Sequence, residues 1–177
     1  EYKNLSLVVS TPHLANTEVD LANVEGKFVR LQRAVQAVAD EYDYIIIDSP
    51  PSLSLLTVNG LIAANYVLLP VQAEFYALEG LGQLLETMKL IRKGLNPRLE
   101  LLGVLATMMD TRTTLSGQVH AEVKKHFPDK IFETTIPRNI RLAEAPSHGL
   151  PIGAYDRFSK GARAYKMLTK EIIERVK

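Results

Sequence analysis

Few residues in this chain have the type and placement to do chemistry, and one carboxylate stands apart. In "YDYIIIDSPPSL", residues 42–53, three consecutive isoleucines end at Asp48, which Ser49, Pro50 and Pro51 follow. A carboxylate at the end of an apolar run is too costly to bury unpaired, so it requires a cation, N–H donors or water. Two prolines stop a central strand, because each lacks the ladder N–H and pushes the preceding residue toward extended backbone. The chain is therefore expected to leave the sheet stiffly beside Asp48. Two roles compete for that carboxylate. One is ordering a magnesium ion or its waters next to phosphates; the other is capping a helix that starts within Leu53–Leu56.

The other reactive types narrow the field. There are no cysteines, which excludes disulfides, thiolate zinc sites and cysteine nucleophiles together. His13, His120, His126 and His148 show no ligand spacing and no acid at a fixed offset, so none reads as catalytic or metal-binding. Net charge is +1 but uneven. The first hundred residues hold 8 Lys and Arg against 12 Asp and Glu, and the remainder 13 against 8. A basic second half fits a polyanionic partner, and fits equally a set of solvated helix faces. Lys124-Lys125 and the tract from Lys89 to Lys93 read as such faces.

The elements that must position Asp48 are legible as periodicity. Residues 5–9, 44–48, 66–71 and 101–108 read as strands, three of them near-continuous apolar runs of the kind covered on both faces in a parallel sheet. Between them, Phe28/Leu31/Val35/Val38, Leu78/Leu81/Leu85/Met88, Leu115/Val119/Val123/Phe127 and Tyr165/Leu168/Ile172/Val176 each lay an apolar stripe along a helix. Alternating strand and helix predicts an α/β fold: a mostly parallel sheet flanked by helices in three layers, as one domain over residues 1–177. In such sheets ligands bind beyond the carboxyl ends of the strands, where Asp48 is expected to sit. A strand-end aspartate that orders a magnesium ion or its waters near nucleotide phosphates would be the Walker-B arrangement of P-loop nucleotidases; an apolar strand ending in aspartate is common in itself, and the capping role stays open beside it. Residues 134–156 hold three prolines, two glycines and little periodicity, and read as a long irregular segment. With 46% apolar and 23% charged residues, no apolar stretch of membrane-spanning length and no leader pattern, a cytoplasmic globular protein is expected.

Several stretches in order resemble the ParA/Soj chromosome- and plasmid-partitioning ATPases, a branch of the deviant-Walker-A P-loop family that also includes MinD. They are "YDYIIIDSPPSLSLLTVNGL" (42–61), "VLLPVQAEFYALEGLGQL" (67–84), "GVLATMMDTRTTLSGQV" (103–119), "IPRNIRLAEAPSHGLPI" (136–152) and "YDRFSKGARAYKMLTKEI" (155–172). "LVVSTPHLANTEVDL" (7–21) resembles the strand and loop before them. The resemblance implies an ATP- and Mg2+-dependent enzyme that dimerises on nucleotide, coats DNA without sequence preference and answers to a ParB/Spo0J-type partner. It implies a nucleoid-associated, cytoplasmic protein that leaves membranes alone. Asp48 would be the catalytic, magnesium-ordering aspartate, acting through water, with Ser49, Pro50 and Pro51 as the γ-phosphate switch. Thr107, Met108, Asp110, Pro137, Arg138 and Asn139 would form the base side, where a proline face and a planar guanidinium can lie against a purine. Arg112 and Arg141 would contact DNA phosphates, with Lys160 and Arg163 as further candidates. Glu74 and Glu79 match a block near the nucleotide and dimer side, with a structural role equally open.

The resemblance also leaves a gap. No GxxxxGK[ST] loop occurs in these residues, although a P-loop protein cradles phosphate in one. The chain therefore reads as the later two-thirds of such an ATPase domain, incomplete at the N-terminus, and the 177 residues alone are expected not to hydrolyse ATP. Without the phosphate-loop strand, the Walker-B run would be left unpaired. Two alternatives stand beside this expectation. One is a MinD-like membrane-associated ATPase of the cell-division site, disfavoured by a last helix whose apolar stripe reads as core-docked. The other is a non-catalytic remnant that binds DNA or a partner.

Overall fold

Tyr66–Gln72 (β1) and Glu100–Thr107 (β2) pair in parallel, from Tyr66 opposite Glu100 to Gln72 opposite Thr107. The computed structural model describes residues 2–11, 13–50, 52–73, 79–110 and 112–177, and the chain divides into two compact units. One comprises residues 65–90 and 98–177, the other residues 1–64 and 91–97.

In the larger unit, β1 and β2 form a two-stranded sheet among the described residues. Residues 130–138 extend it along the other side of β2. Val104 N–H donates to Lys130 O (2.7 Å), Phe132 N–H to Val104 O (2.9 Å) and Ile136 N–H to Ala106 O (2.9 Å). β-branched and leucine side chains alternate to the two faces, so each face buries its own cluster. Leu69, Val71 and Val104 pack with Leu81 of Glu79–Gly94 (α4) and Val123 of Thr114–His126 (α5). On the opposite face Leu105, Phe132 and Ile136 pack with Ala164 and Leu168 of Lys160–Arg175 (α8). The result is the expected parallel sheet between helical layers. Pro70, which cannot donate to a ladder, lies exposed on β1.

One irregularity tightens this unit. The register skips Leu102, since Val67 faces Leu101 and Leu68 faces Gly103. The released Leu102 carbonyl accepts from Arg175 Nη1 (3.2 Å), whose Nη2 also reaches Ile131 O (2.6 Å) and the Glu171 carboxylate (2.7 Å). The same guanidinium lies 4.0 Å from the centroid of the fully buried Phe132 ring, a cation–π contact in a dry setting. Glu171 in turn accepts the Glu133 and Thr134 N–H groups at 2.9 Å each. One ion pair on α8 thus clamps the start of the 130–138 segment.

The stretch read as irregular is helical in pieces: Ile140–Glu144 (α6), a 3-10 turn at Ala145–His148 and Ile152–Tyr155 (α7). The three prolines precede these pieces or occupy their first turns, where a missing N–H costs no internal bond. Their shortness hides them from periodicity.

The smaller unit contains His13–Leu21 (α1), Arg30–Gln36 (α2) and Leu55–Ala63 (α3). Two buried asparagines organise it. Asn59 Nδ2 donates to Lys27 O (2.8 Å) and Leu55 O (3.0 Å), while its Oδ1 accepts from Leu31 N–H (3.3 Å). Asn96 Nδ2 lies 3.1, 3.1 and 2.7 Å from the carbonyls of Leu61, Ile62 and Ala64 at the end of α3.

Here the structure departs from the sequence-based expectation. Residues 5–9 and 44–48 form no strand, and Val8 and Ile46 are 98% and 93% exposed. A β-branched run gains strand structure only from the N–H and C=O groups of a neighbour, and neither run is laddered to one among the described residues. Tyr42, just before the second run, donates its Oη hydrogen to Ser6 Oγ in the first at 2.9 Å.

Candidate functional site

The carboxyl ends of β2 and of the segment beside it meet at residues 107–110 and 136–139. Thr107 Oγ1 donates to Val71 O (3.2 Å), fixing the ends of β1 and β2 together. Met108 then adopts a left-handed conformation, φ 53°, which costs a non-glycine residue energy and is held only where its surroundings enforce it. They do. The next residue, Met109, donates to Ile136 O (3.0 Å) and accepts from Arg138 N–H (3.0 Å). The kink leaves the Met108 side chain half-exposed beyond the strand, with Pro137 half-buried and Arg138 exposed on the adjoining segment.

Asp110 ends this ledge. Its carboxylate is forked by Arg112, from Nε to Oδ1 (2.9 Å) and from Nη2 to Oδ2 (2.7 Å), and Oδ1 also accepts the Arg112 N–H (3.0 Å). These bonds hold its carboxyl far below the usual carboxylate range. Ser116 Oγ accepts the Asp110 N–H at 3.3 Å, and Thr113 Oγ1 donates to its carbonyl at 3.0 Å. Asn139 caps α6, its Oδ1 accepting the Arg141 N–H (2.9 Å). The side chains of Asp110 and Asn139 are therefore engaged within the chain, and Met108, Pro137 and Arg138 lie at the same ledge, Met108 and Arg138 exposed and Pro137 half-buried.

Arg141 meets Glu144 Oε2 (3.0 Å) and Asp156 Oδ2 (3.6 Å), and Tyr155 Oη donates to the same Glu144 oxygen (3.1 Å). The Tyr155 ring stacks on His148 with centroids 4.9 Å apart. Next to Arg141, Leu142 packs where a Cβ on Gly161 would fall 2.6 Å from it. This crossing sets α6 against the first turn of α8, which bears exposed Lys160 and Arg163. Glu144, Asp156 and Glu171 had no expected role. Of these, Glu171 was signalled, by its four-residue spacing from Arg175 on an expected helix, whereas the Arg141–Glu144 spacing fell in a stretch read as irregular.

In the smaller unit, Asp48 lies exposed at the end of the unpaired run, followed by exposed Ser49 and Pro50. Pro51 and Glu74 lie outside the described residues. The capping role open to Asp48 falls to another residue: α3 begins at Leu55, and Glu18 Oε1 accepts the Leu56 N–H at 3.1 Å. Among the described residues, no group of three or more His, Cys, Asp or Glu side chains is arranged to hold a metal.

The comparisons with known proteins concern the chain as a whole. A family model described as "AAA domain" matches residues 1–101. The sporulation initiation inhibitor protein Soj of Bacillus subtilis (strain 168) is 55% identical over 170 residues, covering 96% of this chain and 67% of that protein. The chain belongs to the Soj/ParA family. The chromosome-partitioning ATPase Soj of Thermus thermophilus is 51% identical, over 96% of this chain and 66% of that protein. The cobyrinic acid a,c-diamide synthase of Mycobacterium smegmatis, solved with a bound ATP analogue and magnesium, superposes with a TM-score of 0.76 at 35% identity. That likeness covers 92% of this chain and 59% of that one. The chain thus spans about two-thirds of its Soj relatives, and the family's fold is that of ATP- and magnesium-binding proteins. Among the described residues, no helix is long and apolar enough to cross a membrane.

Proposed function

We propose that the whole protein is an ATP-dependent DNA-segregation ATPase, forming a nucleotide-dependent dimer on DNA of any sequence and discharged by a ParB/Spo0J-type partner. It works in the cytoplasm at the nucleoid. The observation that carries this is the ledge at residues 107–110 and 136–139, where the strained Met108 and the cross-bonded Met109 and Arg138 hold an open surface at the carboxyl ends of parallel strands. That is where an α/β sheet binds its ligand.

The residues fit the ligand's chemistry. Pro137 offers a rigid apolar face and Arg138 a planar cation, and adenine stacks on both. Thr107 and Asp110 fix the ledge, and Asn139 fixes the helix that continues it. Asp48 supplies an exposed hard oxygen donor of the kind magnesium prefers, either directly or through water. Magnesium, when bound, neutralises charge on the phosphates. Ser49, Pro50 and Pro51 follow Asp48 as a stiff switch responding to the γ-phosphate, and losing that contact on hydrolysis releases the dimer from DNA.

Arg112, Arg141, Lys160 and Arg163 supply the phosphate contacts. Lys160 sits in the first turn of α8, the positive end of the helix dipole. A lysine there is unfavourable for the helix by about 0.3–1 kcal/mol, and a phosphate partner would account for it. The 177-residue chain by itself is inactive in ATP hydrolysis. In the whole protein, Asp48→Asn is expected to lower magnesium-dependent ATP turnover by about 100-fold or more. Turnover equal to that of the parent protein would sink the assignment of Asp48.

A further inference from the structure

Both arginines assigned to DNA are held by carboxylates of their own chain. Arg141 is shared between Glu144 and Asp156. Arg112 is more tightly held: its side chain is 85% exposed, yet its Nε and Nη2 groups are both committed to an Asp110 side chain that is only 20% exposed. Ser116 and Thr113 fix the Asp110 main chain from α5 and its approach. The acid is the anchored partner and the arginine the projecting one.

We propose that Asp110 is a built-in competitor of the DNA phosphate for Arg112. The proposal rests on the DNA reading of Arg112 given above. A carboxylate and a phosphate use the same geometry on a guanidinium, two parallel N–H groups received by two oxygens. While Asp110 holds that fork, the pair presents no net charge to a distant polyanion, and DNA must displace the acid before Arg112 adds affinity. Asp110 directly follows Met109, whose N–H and C=O are tied to Ile136 and Arg138. The competitor therefore sits on the ledge assigned to the base. An exposed ion pair is weak enough to yield, being worth a few-fold in an equilibrium, so the clasp moderates DNA binding without abolishing it.

The test is DNA affinity of the ATP-saturated whole protein for a fluorescent duplex of arbitrary sequence, across a salt series. It compares the parent with Asp110→Asn, Arg112→Ala and the double variant. Arg112→Ala is expected to weaken binding. Asp110→Asn is expected to tighten it about 2- to 5-fold at low salt. It should also steepen the salt dependence by up to about one counterion, as one phosphate contact is gained. The tightening should vanish in the Arg112→Ala background. Asp110→Ala, which removes both acceptor oxygens, repeats the comparison should the asparagine retain a bond to Arg112. Unchanged or weaker binding by both Asp110 variants, with Arg112→Ala still weakening, overturns the competitor and leaves the DNA reading standing. Tightening that persists without Arg112 reduces it to a general charge effect and also overturns it. Binding unaffected by Arg112→Ala removes the DNA role of Arg112, and the proposal with it.

Discussion

Gly103 is the position where a single methyl group should do the most damage, because β2 and the 130–138 segment approach each other across its missing side chain. A Cβ there would fall 2.5 Å from Lys130 O, 2.7 Å from Arg175 Nη1 and 2.8 Å from Phe132 Cε2. None of the three can easily give way. Lys130 O is backbone and receives the Val104 N–H at 2.7 Å, Phe132 is fully buried, and Arg175 is held by Leu102 O, Ile131 O and Glu171. Ordinary contact begins near 3.4 Å, so Gly103→Ala requires Lys130 O to retreat by about 0.9 Å, which stretches the bond from Val104 past hydrogen-bonding range. An orphaned buried N–H costs about 1–3 kcal/mol and overpacking about 1–3 kcal/mol. The reduced entropy of the unfolded chain returns about 0.4–1 kcal/mol. The expected net loss is about 1–5 kcal/mol, read as a lower urea midpoint at unchanged slope. Because the displaced segment also carries Pro137 and Arg138, ATP affinity should fall with it. A variant within about 0.5 kcal/mol of the parent would refute the close-approach argument.

Asn96→Ala is expected to destabilise the smaller unit by about 1–3 kcal/mol, since the carbonyls of Leu61, Ile62 and Ala64 would lose their shared donor. Faster amide exchange near the end of α3 would report it. For Glu171, burial raises the carboxyl pKa, but the Thr134 and Glu133 N–H groups and Arg175 outweigh burial and leave it below the ordinary glutamate value. A pKa depressed on folding adds stability above the unfolded value, and that stability is lost as pH falls through the folded one. The difference in urea midpoint between the parent and Glu171→Gln should therefore be full at pH 7 and shrink below about pH 4.5. A gap that is independent of pH would contradict the charge argument.

The second half of the chain was the more legible in sequence, for a physical reason. The runs at 66–71 and 101–108 find each other, and the stripes on α4, α5 and α8 bring Leu81, Val123 and Leu168 to the sheet they form, so local pattern and tertiary packing agree there, although Leu115 and Tyr165 stay exposed and Leu78 lies outside the described residues. Residues 44–48 have the stronger strand signal by composition, yet strand structure is a property of a pair. Ile46 lies open to solvent because no ladder is presented to it among the described residues. Short helices α6 and α7 escaped because four or five residues complete barely one turn, too little for a periodicity. At the ledge, Pro137 and Arg138 were readable as types suited to a purine, whereas the left-handed turn at Met108 was not, since methionine carries no signal for positive φ. The grip of Asp110 on Arg112 joins residues only two apart, a spacing with no periodicity behind it.

The most direct measurement of the central claim is co-sedimentation of the whole protein with DNA of arbitrary sequence, in magnesium, with ATP against ADP. Binding is expected to require ATP, to be indifferent to sequence and to fall steeply with added salt, as phosphate contacts by several basic side chains demand. Binding that is equal with ATP, ADP or no nucleotide, or that is absent under all three, would contradict it.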